Sequence, residues 1–184
     1  MSVQSVRAYL ERYGAGDKIL EFDQPSATVG QAAEDVGVEP ARIAKTMAFL
    51  VPGDDGSEGD DRSEGDDGSE GDDGSDKTRA ILIVCAGDAK VWNAPYKARF
   101  HTKPRMVPAD DLERLVGHPM GGVCPFDRRP GVACYLDESL RRFERVWPAA
   151  GSENSAIGCT LAELEEWGQA DGWVDVCKGW RDGE

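Results

Sequence analysis

A hexapeptide repeat separates the two most apolar stretches of this chain. Residues 53–76 read GDDGSE, GDDRSE, GDDGSE and GDDGSD. No side chain in these four copies can enter a core, and their like charges repel one another. Ala44 to Val51 precede the repeat and Arg79 to Ala86 follow it. Both flanks are apolar and of strand length. The simplest arrangement is a hairpin of two central strands whose loop has been expanded. Loop-closure entropy grows slowly with length, so such an expansion is tolerated. The spacing fits no specific calcium site. An EF-type loop needs ligands at alternating positions and a distal glutamate, and a calcium β-roll needs an apolar residue in each repeat.

The repeat also explains the charge. The 184-residue chain has a formal net charge of -14. Residues 53–76 hold twelve acids and Arg62, which makes -11. The other 160 residues hold 23 acids and 20 bases, a balance of -3. That is the profile of one near-neutral domain over residues 1–184 carrying an acidic insert. Wholesale disorder and a strongly basic nucleic-acid binder are excluded, but local binding of an RNA end is not.

The longest apolar run, Ala80 to Ala86, has seven residues, against the roughly 20 a membrane-spanning helix needs. Arg7, Glu11 and Arg12 break any leader-like apolar run, so no membrane association is expected. The cysteines are Cys85, Cys124, Cys134, Cys159 and Cys177. Their odd number and lack of CxxC spacing argue against a disulfide framework or a zinc site. His101 and His118 lack helical metal-ligand spacing. We therefore expect no metal, no cofactor and a cytoplasmic compartment.

Local patterns predict a mixed α/β (α+β) domain. Helices are expected over Val3 to Tyr13, from Ser26 or Thr28 to Val36, over Pro95 to Phe100, Pro108 to Val116 and Leu161 to Trp167, with a short helical turn at Pro40 to Ile43. Strands are expected at Lys18 to Phe22, Lys45 to Val51, Arg79 to Ala86, Val132 to Leu136, Phe143 to Trp147, Ala156 to Cys159 and Gly172 to Cys177. Several strands follow one another without an intervening helix. This points to a mixed, partly barrel-like sheet flanked by helices.

Three segments carry a resemblance. Thr28 to Thr46 ends in Ile43-Ala44-Lys45-Thr46. Gly117 to Phe126 contains Gly121-Gly122-Val123-Cys124-Pro125-Phe126. Ala150 to Ser155 reads Ala-Gly-Ser-Glu-Asn-Ser. In this order they resemble the YbaK/aminoacyl-tRNA-synthetase-associated domain family, the freestanding editing domains related to the insertion domain of bacterial prolyl-tRNA synthetases. The resemblance runs from about residue 18 to 177, outside the insert. It implies a sheet closing toward a barrel, and hydrolysis in trans of the ester of a mischarged aminoacyl-tRNA. The partners implied are the aminoacyl-tRNA 3' end and, as a further candidate, an aminoacyl-tRNA synthetase. This chain lacks an Asp that some members carry near Ala156, and it has Asp127 where Pro-Phe-Gly is common.

The resemblance assigns the key lysine to Lys45, with Thr46 beside it. A cation set among apolar residues can hold a terminal phosphate or polarise the ester carbonyl. Gly121 and Gly122 make a tight turn, and glycine also lets a substrate approach the backbone. With Val123, their amides are candidate contacts for the acyl group, while Gly117 shapes the entry of the loop and Pro125 its exit. Cys124 is read as a small residue lining the pocket, not as a nucleophile, since nucleophilic cysteine needs an activating base. His118, before Pro119, is read as a loop residue. Ser152 and Asn154 belong to the third segment and are candidate substrate contacts. Lys97, Arg99, His101, Lys103 and Arg105 form either a solvated face or a stripe that contacts phosphates. Two rivals to the editing hydrolase remain. One is a catalytically silent tRNA- or synthetase-binding module on the same fold, the other a hydrolase of another small ester or amide.

Overall fold

The computed structural model describes residues 2–26, 28–53 and 78–181. Apart from Gly53, the acidic repeat read as a solvated loop lies outside the described residues. The elements in chain order are α1 (Val3–Glu11), β1 (Ile19–Glu21), α2 (Val29–Val36), β2 (Ile43–Pro52), β3 (Thr78–Ala86), β4 (Lys90–Val91), α3 (Asn93–Phe100), α4 (Ala109–Leu115), β5 (Ala133–Asp137), β6 (Arg145–Pro148), β7 (Ser155–Ile157), β8 (Cys159–Thr160), α5 (Leu161–Trp167), β9 (Gly172–Val174) and β10 (Cys177–Lys178). Single 3-10 turns at Gly16–Lys18, Pro40–Arg42 and Glu138–Arg142 lead into or out of strands.

A six-stranded sheet in the order β8-β6-β2-β3-β5-β9 forms the centre. β2 and β3 pair antiparallel from Ala44↔Ala86 to Pro52↔Thr78, while β3–β5, β5–β9 and β2–β6 are parallel. The sheet is mixed and curls into a half-barrel flanked by helices, as expected. The run Ala80 to Ala86 of β3 is buried throughout, which is why this strand reads as continuously apolar rather than alternating. Two small ladders, β1–β7 and β4–β10, extend the structure.

The helices begin where their capping residues stand. Ser2 and Ser5 form a capping box on α1, which buries Val3, Val6 and Leu10 along one stripe. The Thr28 hydroxyl accepts the Gln31 amide at the start of α2, and Gly37 ends that helix in the left-handed conformation. Thr160 and Glu163 box the start of α5, which buries Leu164 and Trp167.

Two expected strands are each divided. Gly172 to Cys177 becomes β9 and β10, in different sheets. The Asp137 carboxylate causes the break: it accepts the Val176 amide at 3.0 Å and, on its other oxygen, the Ser139 amide at 3.0 Å. Those bonds satisfy a buried acid and draw Val176 off the ladder. Ala156 to Cys159 likewise becomes the end of β7, paired with β1, and the start of β8, paired with β6. The strand expected from Phe143 starts at Arg145, because a 3-10 turn occupies Glu138–Arg142.

Candidate functional site

The outer edge of β2 is covered at two places and open between them. Ile43 and Ala44 pair with Trp147 and Pro148 of β6. Further along, Leu50 donates to the Arg105 carbonyl at 2.8 Å and Val107 donates to the Ala48 carbonyl at 3.0 Å. Lys45, Thr46 and Met47 fall in the gap, and a cavity of about 270 Å³ opens there. Its walls come from α2 (Val29, Ala32), the Met120–Val123 loop, and Ser152, Glu153 and Ser155. Val107 and Leu112 close it from the α4 side. Met106 and Met120 also line it and are among the most exposed large apolar side chains described. They form a soft apolar rim.

The Lys45 ammonium donates to the main-chain carbonyls of Gly87 and Ala89. Those carbonyls sit in the turn after β3. Gly87 is required there because a Cβ would run into the Pro40 carbonyl. The turn is therefore packed directly against the segment that leads into β2. Beside it, the Arg142 guanidinium grips the Asp88 carboxylate at 2.9 and 2.6 Å and holds that acid below the usual carboxylate range. Two of the three ammonium protons of Lys45 are thus directed by the fold. Thr46 presents a different situation. Its hydroxyl oxygen is buried and, among the described residues, has no hydrogen-bond partner. An unpaired buried hydroxyl is costly to the fold.

The second and third sequence segments meet backbone to backbone. A Cβ on Gly122 would lie 2.6 Å from the Gly151 carbonyl oxygen and 2.9 Å from the Ser152 nitrogen. One on Gly121, where φ is +82°, would lie 2.8 Å from Glu153 Cβ. The close approach expected of a substrate at Gly122 is therefore made by the protein's own chain. The Gly122 amide is also occupied, donating to the Pro119 carbonyl at 3.0 Å. Among the described residues no hydrogen bond reaches the amides of Gly121 and Val123, and both residues line the cavity.

A family model described as the aminoacyl-tRNA editing domain matches residues 23–167. The chain belongs to that editing-domain family. Its relative YwhH of Bacillus subtilis (strain 168), an uncharacterized protein, is 41% identical over 180 residues, which span 98% of this chain and 99% of that one. A solved structure described as a candidate trans-editing enzyme for prolyl tRNA synthetase is 24% identical with a TM-score of 0.73, covering 96% of this chain and 97% of the other. The structure of a hypothetical protein, APE2540, is 22% identical with a TM-score of 0.71, covering 95% and 99%. At these identities the two structures show the shared fold.

Other residues singled out from the sequence support the editing-domain cavity without lining it. Gly117 adopts φ +100° at the end of α4 and donates to the Leu112 carbonyl at 3.2 Å. The Pro125 carbonyl accepts from Arg128 at 3.0 Å, which fastens the loop exit. Asn154 accepts the Ser152 hydroxyl at 2.7 Å and donates its carboxamide to the Phe22 carbonyl at 2.8 Å. It ties the third segment to the chain after β1, whereas Ser152 reaches the cavity wall. Cys124 corrects the expectation of a pocket-lining residue: it is fully buried and absent from the lining.

Cys124 and His118 do come together, Sγ to Nε2 at 3.6 Å. They do not form a nucleophilic pair. His118 Nε2 lies 2.7 Å from the Phe126 carbonyl, an acceptor, so this nitrogen carries the proton and donates it. Burial lowers the His118 pKa, opposed by that hydrogen bond, and burial pushes the Cys124 thiol up to about 12. A neutral, buried thiol is inert.

The five basic residues singled out from the sequence do not line the cavity. Lys97 and Arg99 lie on α3, followed by His101, Lys103 and Arg105, and all five are exposed. α3 is anchored by Tyr96, whose ring meets Phe49 of β2 at 5.2 Å. Arg105 is followed immediately by Met106 on the rim.

Glu153 is the functional candidate that sequence reasoning passed over. It was visible in the third segment, but only the fold sets it against Gly121.

Proposed function

We propose that this chain is a cytoplasmic, trans-acting deacylase that hydrolyses the ester of a mischarged aminoacyl-tRNA. The observation that carries the reading is the gap in the β2 edge, where Lys45, Thr46 and Met47 line an apolar cavity. At about 270 Å³, the cavity falls just below the usual range of about 300–1,000 Å³ for small-molecule sites. Its size suits the acyl end of the substrate, with the nucleotide at the mouth on Met106, Met120 and the basic stripe. Water attacks the ester carbonyl, and the amides of Gly121 and Val123 receive the developing oxyanion. The third Lys45 proton is available to the carbonyl or to a phosphate oxygen. Breaking the ester bond returns a proton to the ribose oxygen and releases a free amino acid. Small acyl groups are favoured, and the apolar wall separates them by size only modestly.

The test is a deacylation panel with tRNAs carrying Ala, Ser, Cys, Pro and Thr. Hydrolysis of at least one ester supports the reading. No hydrolysis of any at high enzyme concentration overturns it. A silent tRNA- or synthetase-binding module is the second reading, favoured by the engagement of the Lys45 ammonium with two carbonyls. It would show association without turnover.

A further inference from the structure

We propose that Glu153 holds the α-ammonium group of the aminoacyl substrate. The inference rests on the deacylase reading of the same cavity and adds how the acyl group is oriented in it. Among the described lining residues Lys45 is the single cation and Glu153 the single anion. Among the described residues the Glu153 carboxylate has no ion-pair partner, although the chain around it is firmly placed. Its main-chain carbonyl accepts the Ser26 amide at 2.8 Å. Its side chain lies along Gly121, with Oε2 3.3 Å from the position a Cβ on Gly121 would take.

That neighbourhood of carboxylate and glycine suits the substrate. In an aminoacyl ester the α-nitrogen is joined to the carbonyl carbon through a single atom. A carbonyl oxygen held by the Gly121 amide therefore brings the α-nitrogen next to whatever flanks Gly121, and Glu153 flanks it. An α-amine has an ordinary pKa of about 7.7–8.0, so it is largely cationic at neutral pH. A free carboxylate complements it, while the apolar walls from α2 and Leu112 take the side chain. Because the ester bond leads out of the cavity, the ammonium fixes which way the acyl group enters.

The experiment compares the best aminoacyl ester of the panel with its α-hydroxy counterpart on the same tRNA, lactyl for alanyl or glyceroyl for seryl. This replaces the ammonium by a hydroxyl of nearly equal size. Wild type should favour the aminoacyl ester in kcat/KM about fivefold beyond the ratio of the two uncatalysed hydrolysis rates, the upper end for an exposed ion pair. Glu153→Gln should abolish that excess, mainly through KM on the aminoacyl ester, and Glu153→Asp should retain part of it. Glu153→Gln should melt with wild type, which separates recognition from folding. A wild type that shows no excess over the uncatalysed ratio overturns the inference while leaving the deacylase reading intact. So does a Glu153→Gln variant equally impaired on both, which would make the carboxylate a base for the water. Hydrolysis of neither ester overturns the deacylase reading, and the inference falls with it.

Discussion

Gly122 and Gly151 approach so closely that a methyl group on Gly122 would stand 2.6 Å from the Gly151 carbonyl oxygen. Both partners are backbone, so neither can swing aside. Gly122→Ala must push the Met120–Val123 loop off the third segment, and overpacking of this kind costs about 1–3 kcal/mol. Denaturant titration should show that loss, and deacylation should fall because Gly121 and Val123 move with the loop, away from Glu153. Gly30→Ala is the control. It lies in α2, nothing would come closer than 3.8 Å, and alanine in a helix stabilises by about 0.5–1 kcal/mol relative to glycine.

Lys45→Ala should lower single-turnover deacylation by about 10²–10³, the usual loss on removing one oxyanion donor. Lys45→Arg should not restore it, since a planar guanidinium cannot reproduce the ammonium's contacts with Gly87 and Ala89. Hydrolysis unchanged by Lys45→Ala would remove Lys45 from the chemistry and leave the activity to be explained by other groups.

Cys124→Ala should keep deacylation within about twofold of wild type, because a buried neutral thiol takes no part in attack. Iodoacetamide should leave deacylation by the native protein unchanged. Rapid inactivation that Cys124→Ala prevents would reinstate the thiol as nucleophile.

His118 gives a pH dependence of stability. Burial depresses its folded pKa below the ordinary value of about 6.5. Its contribution is therefore complete above about 6.5 and is lost as pH falls toward the folded pKa, because the unfolded chain takes up the proton first. The slope in that window is at most about 1.4 kcal/mol per pH unit. Melting curves from pH 7.5 to 5 should show a decline that His118→Asn flattens. An equal decline in both would assign it to other groups.

The elements most legible in the sequence were those whose signal is local. β2 and β3 announce themselves as apolar runs, and α2 and α5 by Thr28 with Gly37 and by Thr160 with Glu163. β4, β9 and β10 were harder because they have only two or three residues each, and Asp137, far away in sequence, decides where the last two divide. The site was legible in the same uneven way. Lys45, Thr46, Gly121, Val123 and Ser152 do reach one cavity. Cys124 does not, because the loop turns its thiol toward Phe126 and His118. Glu153 matters only through its contact with Gly121, and nothing local to either residue reports that contact.

The β2–β3 hairpin closes fully at its far end, where Pro52 is paired with Thr78. Replacing residues 53–76 with a short glycine-containing turn should therefore preserve the fold, the melting temperature and deacylation. Salt titration of tRNA binding should show, if anything, tighter binding at low ionic strength. Failure of that variant to fold would mean that the repeat supports the core.

The length of β2 has its own consequence. Seven residues separate Lys45 from Pro52, which at ~3.4 Å per residue is ~24 Å. That is about three screening lengths at physiological ionic strength, ~8 Å each. The strand acts as a boom: a charge at its tip is largely screened from the cavity at its base.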